Sequence, residues 1–322
     1  MPTIDENAAL DAYLFHRDAR REDDASPPNE GGETALLRAL DGAPLEATVF
    51  RAAKPLRGRP PVVIASATGV RRAYYGSFAG HLSRRGLDVV TFDYRGIGGS
   101  REAAERPKMH DWGEQDLAGV VAFAGARLGP RDGGVSIVGH SVGGQLVGLL
   151  PEPHRVRRVL TVGAQSGDYR LWPLPYRLAM AALWYGVVPG VTRAVGYLPG
   201  ALGIGEDLPP GVALEWAAWC RTPGYLVGGG AESRRAGFEA ITAPLLAYSF
   251  DDDELAPPAA VTSLLSLYRR ADVERREVHR SDVGPIGHFG FFRDRFRTSL
   301  WEDAASFLAR GHAGKETHLP PW

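Results

Sequence analysis

The sequence predicts an α/β protein with a mostly parallel central sheet, helices on both faces, and a helical insertion. Two observations lead to this class. Short apolar runs typical of buried strands alternate with amphipathic segments typical of helices, and one block, residues 167–239, breaks the alternation. Parallel strands need crossover helices that cover the sheet, so an alternating pattern of this kind indicates a parallel sheet with both faces buried.

The pattern begins with a predicted hairpin, because residues 35–40 and 45–51 are joined at Asp41-Gly42, a strong turn signal. Residues 61–66 and 87–92 are apolar runs typical of buried strands. Between them, residues 74–85 place Phe78, Ala79 and Leu82 on one side, which predicts a helix that ends at Gly86. The later elements repeat this order. They are strands at residues 135–138, 156–162, 244–250 and 274–279, and helices at residues 115–126, after 141, 258–269 and 294–309.

The composition and net charge of the chain argue against several kinds of partner and location. The chain has 322 residues, 44% of them hydrophobic and 23% charged, with a net charge of -1. This balance gives no reason to expect nucleic acid or an anionic membrane as a partner. The single cysteine, Cys220, precludes an intrachain disulfide and is interpreted as a small buried hydrophobic residue. With no signal peptide and no apolar run of about 18 residues recognised, we expect no membrane span and a cytoplasmic protein.

The predicted domain boundaries follow the changes in composition. Residues 1–33 are interpreted as a flexible acidic leader and residues 311–322 as a loose C-terminal tail. Residues 34–166 and 240–310 form the predicted α/β core. Residues 167–239, hereafter the cap insertion, are rich in Trp, Tyr, Pro and Gly, with helices predicted at 178–185 and 212–220.

The cap insertion is expected to wall a substrate pocket, because ligands bind at the carboxyl ends of strands in this architecture. A packing subdomain without a ligand role is the alternative. The candidate pocket residues are Thr68, Trp172, Trp184, Tyr185 and Trp216. If the aromatic rings face the ligand, one side of the pocket is mostly apolar; if they do not, they form the insertion's own core.

The stretch Gly139-His140-Ser141-Val142-Gly143 contains Gly-x-Ser-x-Gly at a predicted strand-to-helix junction. A serine on so tight a turn must adopt strained backbone angles, and the residues two positions away must be small. The strain projects the hydroxyl from the edge of the sheet, where a base can reach it. Ser141 is therefore the candidate nucleophile.

A serine hydroxyl needs a base, and the base needs an acid that orients it. His288 lies in a glycine-flanked aromatic loop after the last predicted strand, which makes it the candidate base. The acid candidates are Asp251, Asp252 and Asp253, directly after the strand at residues 244–250. The order serine, acid, histidine is typical of one class of hydrolase.

The developing oxyanion also needs hydrogen-bond donors. One is expected from the backbone N–H of Val142, at the start of the helix after the serine. The second is expected from the loop after the strand at 61–66, where Gly69 allows close approach; the N–H of Val70 is predicted as the donor, with that of Gly69 as the fallback.

These motifs resemble the α/β-hydrolase superfamily over about residues 33–310. The resemblance rests on five segments: Ala67-Thr68-Gly69-Val70, Phe92-Asp93-Tyr94-Arg95-Gly96-Ile97-Gly98, Trp112-Gly113, Gly139-His140-Ser141-Val142-Gly143-Gly144 and Gly287-His288. Within the superfamily the chain is similar to a bacterial group related to the serine aminopeptidase and monoglyceride lipase branch. The superfamily's spacing of its acid favours Asp253, with Asp252 as the alternate. Thr68-Gly69 departs from the usual His-Gly, so Thr68 stands where an imidazole is usual.

The resemblance implies an esterase-like serine hydrolase that forms an acyl-enzyme on Ser141 with a small-molecule acyl substrate, without metal or organic cofactor. An acyltransferase with the same triad is one alternative, because it forms the same intermediate. A non-catalytic binding protein that keeps the fold is another. The oligomeric state is left open.

Overall fold

The computed structural model describes residues 31–203 and 205–310, and the residue ranges below refer to this part of the chain. Most of the predicted leader and all of the predicted C-terminal tail lie outside the described residues. Residues 32 and 33, assigned to the leader, are part of the first strand. That strand begins three residues earlier than predicted because its pairing with the next strand, Gly32 opposite Phe50, extends further than the apolar pattern.

Eight strands form one sheet in the order β1-β2-β4-β3-β5-β6-β7-β8. The strands are β1 Gly32–Arg38, β2 Pro44–Phe50, β3 Val62–Ala65, β4 Val89–Phe92, β5 Val135–His140, β6 Val156–Val162, β7 Leu245–Phe250 and β8 Val273–Val278. The β1–β2 and β2–β4 pairs are antiparallel, and all the other pairs are parallel. This arrangement confirms the predicted fold class.

Helices cover both faces of the sheet. They are α1 Gly76–Arg84, α2 Met109–Asp111, α3 Ala118–Arg127, α4 Val142–Gln145, α5 Tyr176–Ala182, α6 Val188–Val195, α7 Pro210–Arg221, α8 Glu232–Ala240, α9 Pro258–Leu265, α10 Arg280–Val283 and α11 Leu300–Ala309. A π-helical segment, Trp112–Leu117, joins α2 to α3, and another, Leu183–Val187, joins α5 to α6.

The alternation of side chains along the strands builds two cores. On β3, Val62 and Ile64 pack into one core while Val63 and Ala65 pack into the other. All four of these side chains are fully buried, as expected for a strand covered on both faces. The edge strand β8 is only partly buried and carries charged residues, which protects the open edge of the sheet from pairing with another chain.

Helix α5, the π segment and α6 form one helix, Tyr176–Val195, of 20 residues with a mean hydropathy of 1.3 over its most apolar window. The sequence analysis predicted only residues 178–185 as helical and so underestimated the length of this helix. By length and composition it could cross a membrane, although a single such helix is weak evidence, and a third of it is buried in the fold. Pro189 lies inside this continuous helix, two residues after the π-helical segment, and does not end it.

The cap insertion contains two helices, α6 and α8, that were not predicted, besides the predicted pair. All lie between β6 and β7, so the insertion leaves the sheet at the carboxyl end of one parallel strand and returns to the next. Strands β3, β5, β6 and β7 end at this same edge, which positions the loops described next.

Candidate active site

Ser141 occupies a strained turn between β5 and α4. Its backbone angles are φ 51° and ψ −117°, a region that non-glycine residues rarely adopt. A Cβ atom at Gly139 would lie 2.5 Å from the Cα atom of Gly144, and one at Gly143 would lie 2.1 Å from the carbonyl oxygen of Ala65. Both motif glycines are therefore required by close backbone contacts, as the sequence pattern predicted.

His288 pairs with Asp253 beneath this turn. The ring Nδ1 lies 2.8 Å from Asp253 Oδ2, and both residues are at least nine-tenths buried. The other carboxylate oxygen of Asp253 accepts hydrogen bonds from the N–H groups of Leu255 and Ala256 at 2.9 and 3.1 Å. These bonds fix the carboxylate, so that it can hold the imidazole in one orientation and leave Nε2 free.

The three adjacent aspartates have three different partners. Asp252 accepts hydrogen bonds from the N–H groups of Ile286 and Gly287, at 2.8 and 2.9 Å, and so shapes the loop that carries His288. Asp251 accepts one from the N–H of Arg280 at 2.7 Å. The structure therefore brings Asp253, and not the alternate Asp252, to the histidine.

Ser141 and His288 line one cavity of about 90 Å³. Among the described residues no hydrogen bond joins the Ser141 hydroxyl to the His288 ring. Hydrogen bonds between catalytic groups are often long in ligand-free structures and shorten when substrate binds. The fold places the Ser141 and His288 side chains on the wall of the same cavity.

Gly163, directly after β6, makes room for the Asp253–His288 pair. Its φ is 57°, and a Cβ atom there would lie 3.1 Å from Asp253 Oδ2 and 3.2 Å from His288 Nδ1. The sequence analysis did not identify this residue. Its position at the end of a parallel strand neighbouring the serine's strand was the available signal.

We expect Gly163→Ala to lower kcat/KM for an ester by at least about tenfold, because the methyl group displaces the histidine or its acid. The left-handed backbone should also cost about 1–2 kcal/mol of unfolding free energy. The measurements are steady-state kinetics and denaturant unfolding. Gly196→Ala is the matched control: its φ is 89° and nothing lies within 4 Å of the added atom. That variant should lose similar stability and keep its kcat/KM. Equal kinetics in the two variants would remove Gly163 from the site.

The loop after β3 differs from the sequence prediction. Val70, predicted as the second oxyanion donor, uses its N–H in a 3.2 Å hydrogen bond to the Ala67 carbonyl and packs its side chain against the core. Neither Val70 nor the fallback Gly69 lines the cavity, whereas Thr68 does. The donor prediction is corrected on this point: β3 ends at Ala65, so the chain passes the cavity at Thr68 and has turned away by Val70.

The cavity wall includes most of the predicted pocket residues. Trp172, Trp184 and Trp216 line it together with Thr68, and the rings of Trp184 and Trp216 meet edge to face at 4.8 Å. Tyr185 does not line it. That ring is 56% exposed and packs under the Arg221 guanidinium, so its assignment to the pocket is wrong. Periodicity alone could not separate it from Trp184, its neighbour on the same helix.

Several lining residues were missed. They are Gln145, Gln165, Gly167, Met180, Leu255 and Phe289. Gln145 could have been found, because it lies one helical turn after Ser141. Cys220 also lines the cavity; burial raises the pKa of its thiol well above the ordinary value, so the thiol stays neutral.

Comparison with known proteins identifies the fold. A family model described as "alpha/beta hydrolase fold" matches residues 60–196, which include β3 to β6 and the serine turn. The chain has the α/β-hydrolase fold. A sequence search of curated proteins gave no significant match.

Solved structures with this hydrolase fold carry different activities. An esterase from Exiguobacterium antarcticum is 17% identical, with a TM-score of 0.58 over 86% of this chain and 100% of its own. A monoacylglycerol lipase from Paleococcus ferrophilus is 18% identical, with a TM-score of 0.54 over 82% and 98%. A bromoperoxidase from Bacillus anthracis is 16% identical, with a TM-score of 0.56 over 86% and 100%. At these identities the likeness shows the fold alone.

A buried hydrogen-bond chain ties two loops of the hydrolase fold together. The N–H of Ala67 donates to the Tyr75 hydroxyl at 2.9 Å, and that hydroxyl lies 2.9 Å from His140 Nδ1. His140 Nε2 lies 2.9 Å from the carbonyl oxygen of His288. Since a carbonyl can only accept, Nε2 carries the proton and Nδ1 accepts from Tyr75. The loop at Thr68 and the loop at His288 are thereby joined through one neutral imidazole.

His140 should contribute to the pH dependence of stability. Burial, and secondarily the nearby His288, hold the pKa of His140 well below its ordinary 6.5. Below pH 6.5 the His140 side chain therefore binds a proton in the unfolded chain but not in the folded protein. The free energy of unfolding consequently falls as pH falls. In His140→Asn, the slope of unfolding free energy against pH between 6.5 and 5 should decrease by up to about 1.4 kcal/mol per pH unit. Urea unfolding at several pH values measures it.

The comparison between the two proteins removes the contributions of other histidines. His110, whose pKa is raised by its hydrogen bond to Glu215, changes the slope in the opposite direction but is present in both proteins. Parallel slopes for the two proteins would show that His140 takes up protons equally in the folded and unfolded states.

The cap insertion contacts the Thr68 loop at Gly205 and Glu206. The Glu206 N–H donates to the Gly69 carbonyl at 2.7 Å, and its carboxylate accepts from the Gly98 N–H at 2.8 Å and pairs with Arg71. A Cβ atom at Gly205 would lie 2.3 Å from the same Gly69 carbonyl. This close approach of two backbone segments explains the glycine at position 205.

Proposed function

We propose that this protein is a serine hydrolase that cleaves a carboxylic ester or a related acyl bond through an acyl-enzyme on Ser141. The observation that carries the proposal is the buried Asp253–His288 pair, with His288 on the same cavity wall as a serine in a strained turn. Such strain persists where surrounding structure holds it and is concentrated at functional sites.

In the proposed reaction, His288 Nε2 takes the proton of the Ser141 hydroxyl as the oxygen attacks the acyl carbonyl. Asp253 accepts from Nδ1–H and stabilises the imidazolium that forms. The imidazolium then protonates the leaving alcohol. Water, activated by the same imidazole, releases the acid and restores the hydroxyl.

The oxyanion is proposed to bind between the backbone N–H groups of Val142 and Thr68. Val142 is the first residue of α4, so its N–H has no acceptor within the helix. Thr68 replaces Val70 in this role because it lines the cavity beside Ser141. Two such donors are typically worth several kcal/mol of transition-state stabilisation.

The proposed substrate is a small molecule with a mostly apolar acyl group, because three tryptophans line the cavity. The proposed location is the cytoplasm, which the single, free cysteine supports.

A fluorophosphonate probe and p-nitrophenyl esters of increasing chain length test the proposal. We expect one probe molecule per chain, attached at Ser141, and ester turnover that the probe abolishes. Attachment at another residue, or no reaction with either reagent in folded protein, would contradict the proposed mechanism.

A further inference from the structure

Two glutamine side chains form part of the cavity wall that the proposed mechanism does not use. Gln145 is 3% exposed and Gln165 is 8% exposed, and both line the cavity beside Ser141. A buried amide needs hydrogen-bond partners, since an unpaired polar group costs about 1–3 kcal/mol. The hydrogen bonds of these two amides therefore show which of their donors and acceptors remain for a ligand.

The orientation of both amides follows from one fixed carbonyl. Gln165 Nε2 donates to the Leu255 carbonyl at 3.0 Å, so the Gln165 oxygen faces Gln145. Gln145 Nε2 donates to that oxygen at 3.3 Å. The Gln145 oxygen then accepts from the Tyr225 hydroxyl at 2.8 Å. Reversing either amide would set two donors against each other or two acceptors against each other.

Each amide nitrogen has two N–H groups, and each uses one in this chain of bonds. One N–H on Gln145 and one on Gln165 have no partner among the described residues. The residues that line the cavity include no lysine, arginine, aspartate or glutamate. Apart from Ser141, Thr68 and His288, the two amides are the polar side chains of a largely apolar cavity wall. Such a site suits a neutral acceptor and disfavours a charged acyl group, which would be buried without a counter-ion.

The position of Gln145 sets where the acceptor lies on the substrate. It follows Ser141 by four residues, and the helical residues 142–144 between them place the two Cα atoms about 6 Å apart. An oxygen three or four bonds from the scissile carbonyl spans that separation.

Resting on the proposed function, we infer that the substrate's acyl group is uncharged and oxygenated, with a carbonyl or hydroxyl oxygen on its β or γ carbon held by Gln145 and Gln165. The tryptophans contact its methylene groups. Ester cleavage follows the steps given above, and the amides recognise the acyl group without entering the chemistry.

The test compares two p-nitrophenyl esters with equal numbers of heavy atoms, the 4-oxopentanoate and the 4-methylpentanoate. The readout is the ratio of their kcat/KM values, each corrected for spontaneous hydrolysis. We expect a ratio above one in the unaltered protein. In Gln145→Met the ratio should fall about 3- to 10-fold, the effect of one hydrogen bond. Gln165→Met gives an independent second measurement if Gln145→Met does not fold.

Thr192→Val is the control, because Thr192 is also a buried polar residue but does not line the cavity; its ratio should equal that of the unaltered protein. A ratio below one in the unaltered protein, or an equal ratio in all the variants, would overturn the inference while leaving the proposed hydrolase function intact. Failure to cleave either ester would instead overturn the proposed function, and the inference with it.

Discussion

Ser141→Ala should lower kcat for an activated ester by at least about 10⁴-fold. The variant keeps the cavity and the oxyanion donors but has no oxygen to form the acyl-enzyme, so only the residual catalysis of binding and electrostatics remains. Alanine carries the same Cβ as serine, and the strained turn at φ 51° is therefore unchanged in its steric demands. Steady-state kinetics and mass spectrometry of probe-treated protein measure the loss.

Ser136→Ala provides the control for this experiment. Ser136 is also buried and lies on β5, the strand that leads into Ser141. Its hydroxyl has no hydrogen-bond partner among the described residues. Removing that hydroxyl should leave kcat and probe labelling unchanged. If Ser141→Ala still turned over ester at a comparable rate, the nucleophile would have to lie elsewhere.

Asp253→Asn should lower kcat by about 10⁴-fold, because an amide cannot hold the Nδ1–H tautomer of His288 or stabilise its protonated form. Asn has nearly the same shape as Asp, so the loop around it should persist. The carbonyl of the new amide can still accept from the N–H groups of Leu255 and Ala256, as Asp253 does. The drop should appear in kcat more than in KM.

Asp252→Asn is the matched variant at the neighbouring position. Asp252 accepts from two loop N–H groups through its two oxygens, and an amide can keep one of these bonds. We expect a loss of about 1–3 kcal/mol in unfolding free energy and a much smaller effect on kcat than at Asp253. A reversed order of the two kcat values would assign the acid role to Asp252.

Local geometry explains what the sequence could predict. The turn at Ser141 is fixed by neighbours within three residues of it, and the pattern of glycines carries that information. The alternation along β3 likewise follows from a period of two that is visible in any apolar strand. The fold class and the strained turn that carries Ser141 were therefore predictable from short stretches of chain.

The residues that were missed or misplaced depend on contacts between distant segments. The sequence alone does not distinguish the roles of Asp252 and Asp253. Distant contacts do so, because the loop before His288 donates to Asp252 while the His288 ring pairs with Asp253. The choice of Val70 as a donor was wrong because it required the last residue of β3 to be known to within two residues. The end of a strand is set by its pairing with neighbouring strands. The bond between Gln145 and Gln165 joins helix α4 to the loop after β6, and neither segment alone predicts it.

The contact of Glu206 and Gly205 with the Gly69 carbonyl has a consequence for protein engineering. Consider chimaeras in which residues 167–239 are replaced by the corresponding region of another hydrolase. The replacement would also remove the contacts that support the loop carrying Thr68. Such chimaeras would change turnover as well as selectivity, unless the donor sequence retained a glycine–glutamate pair at this point.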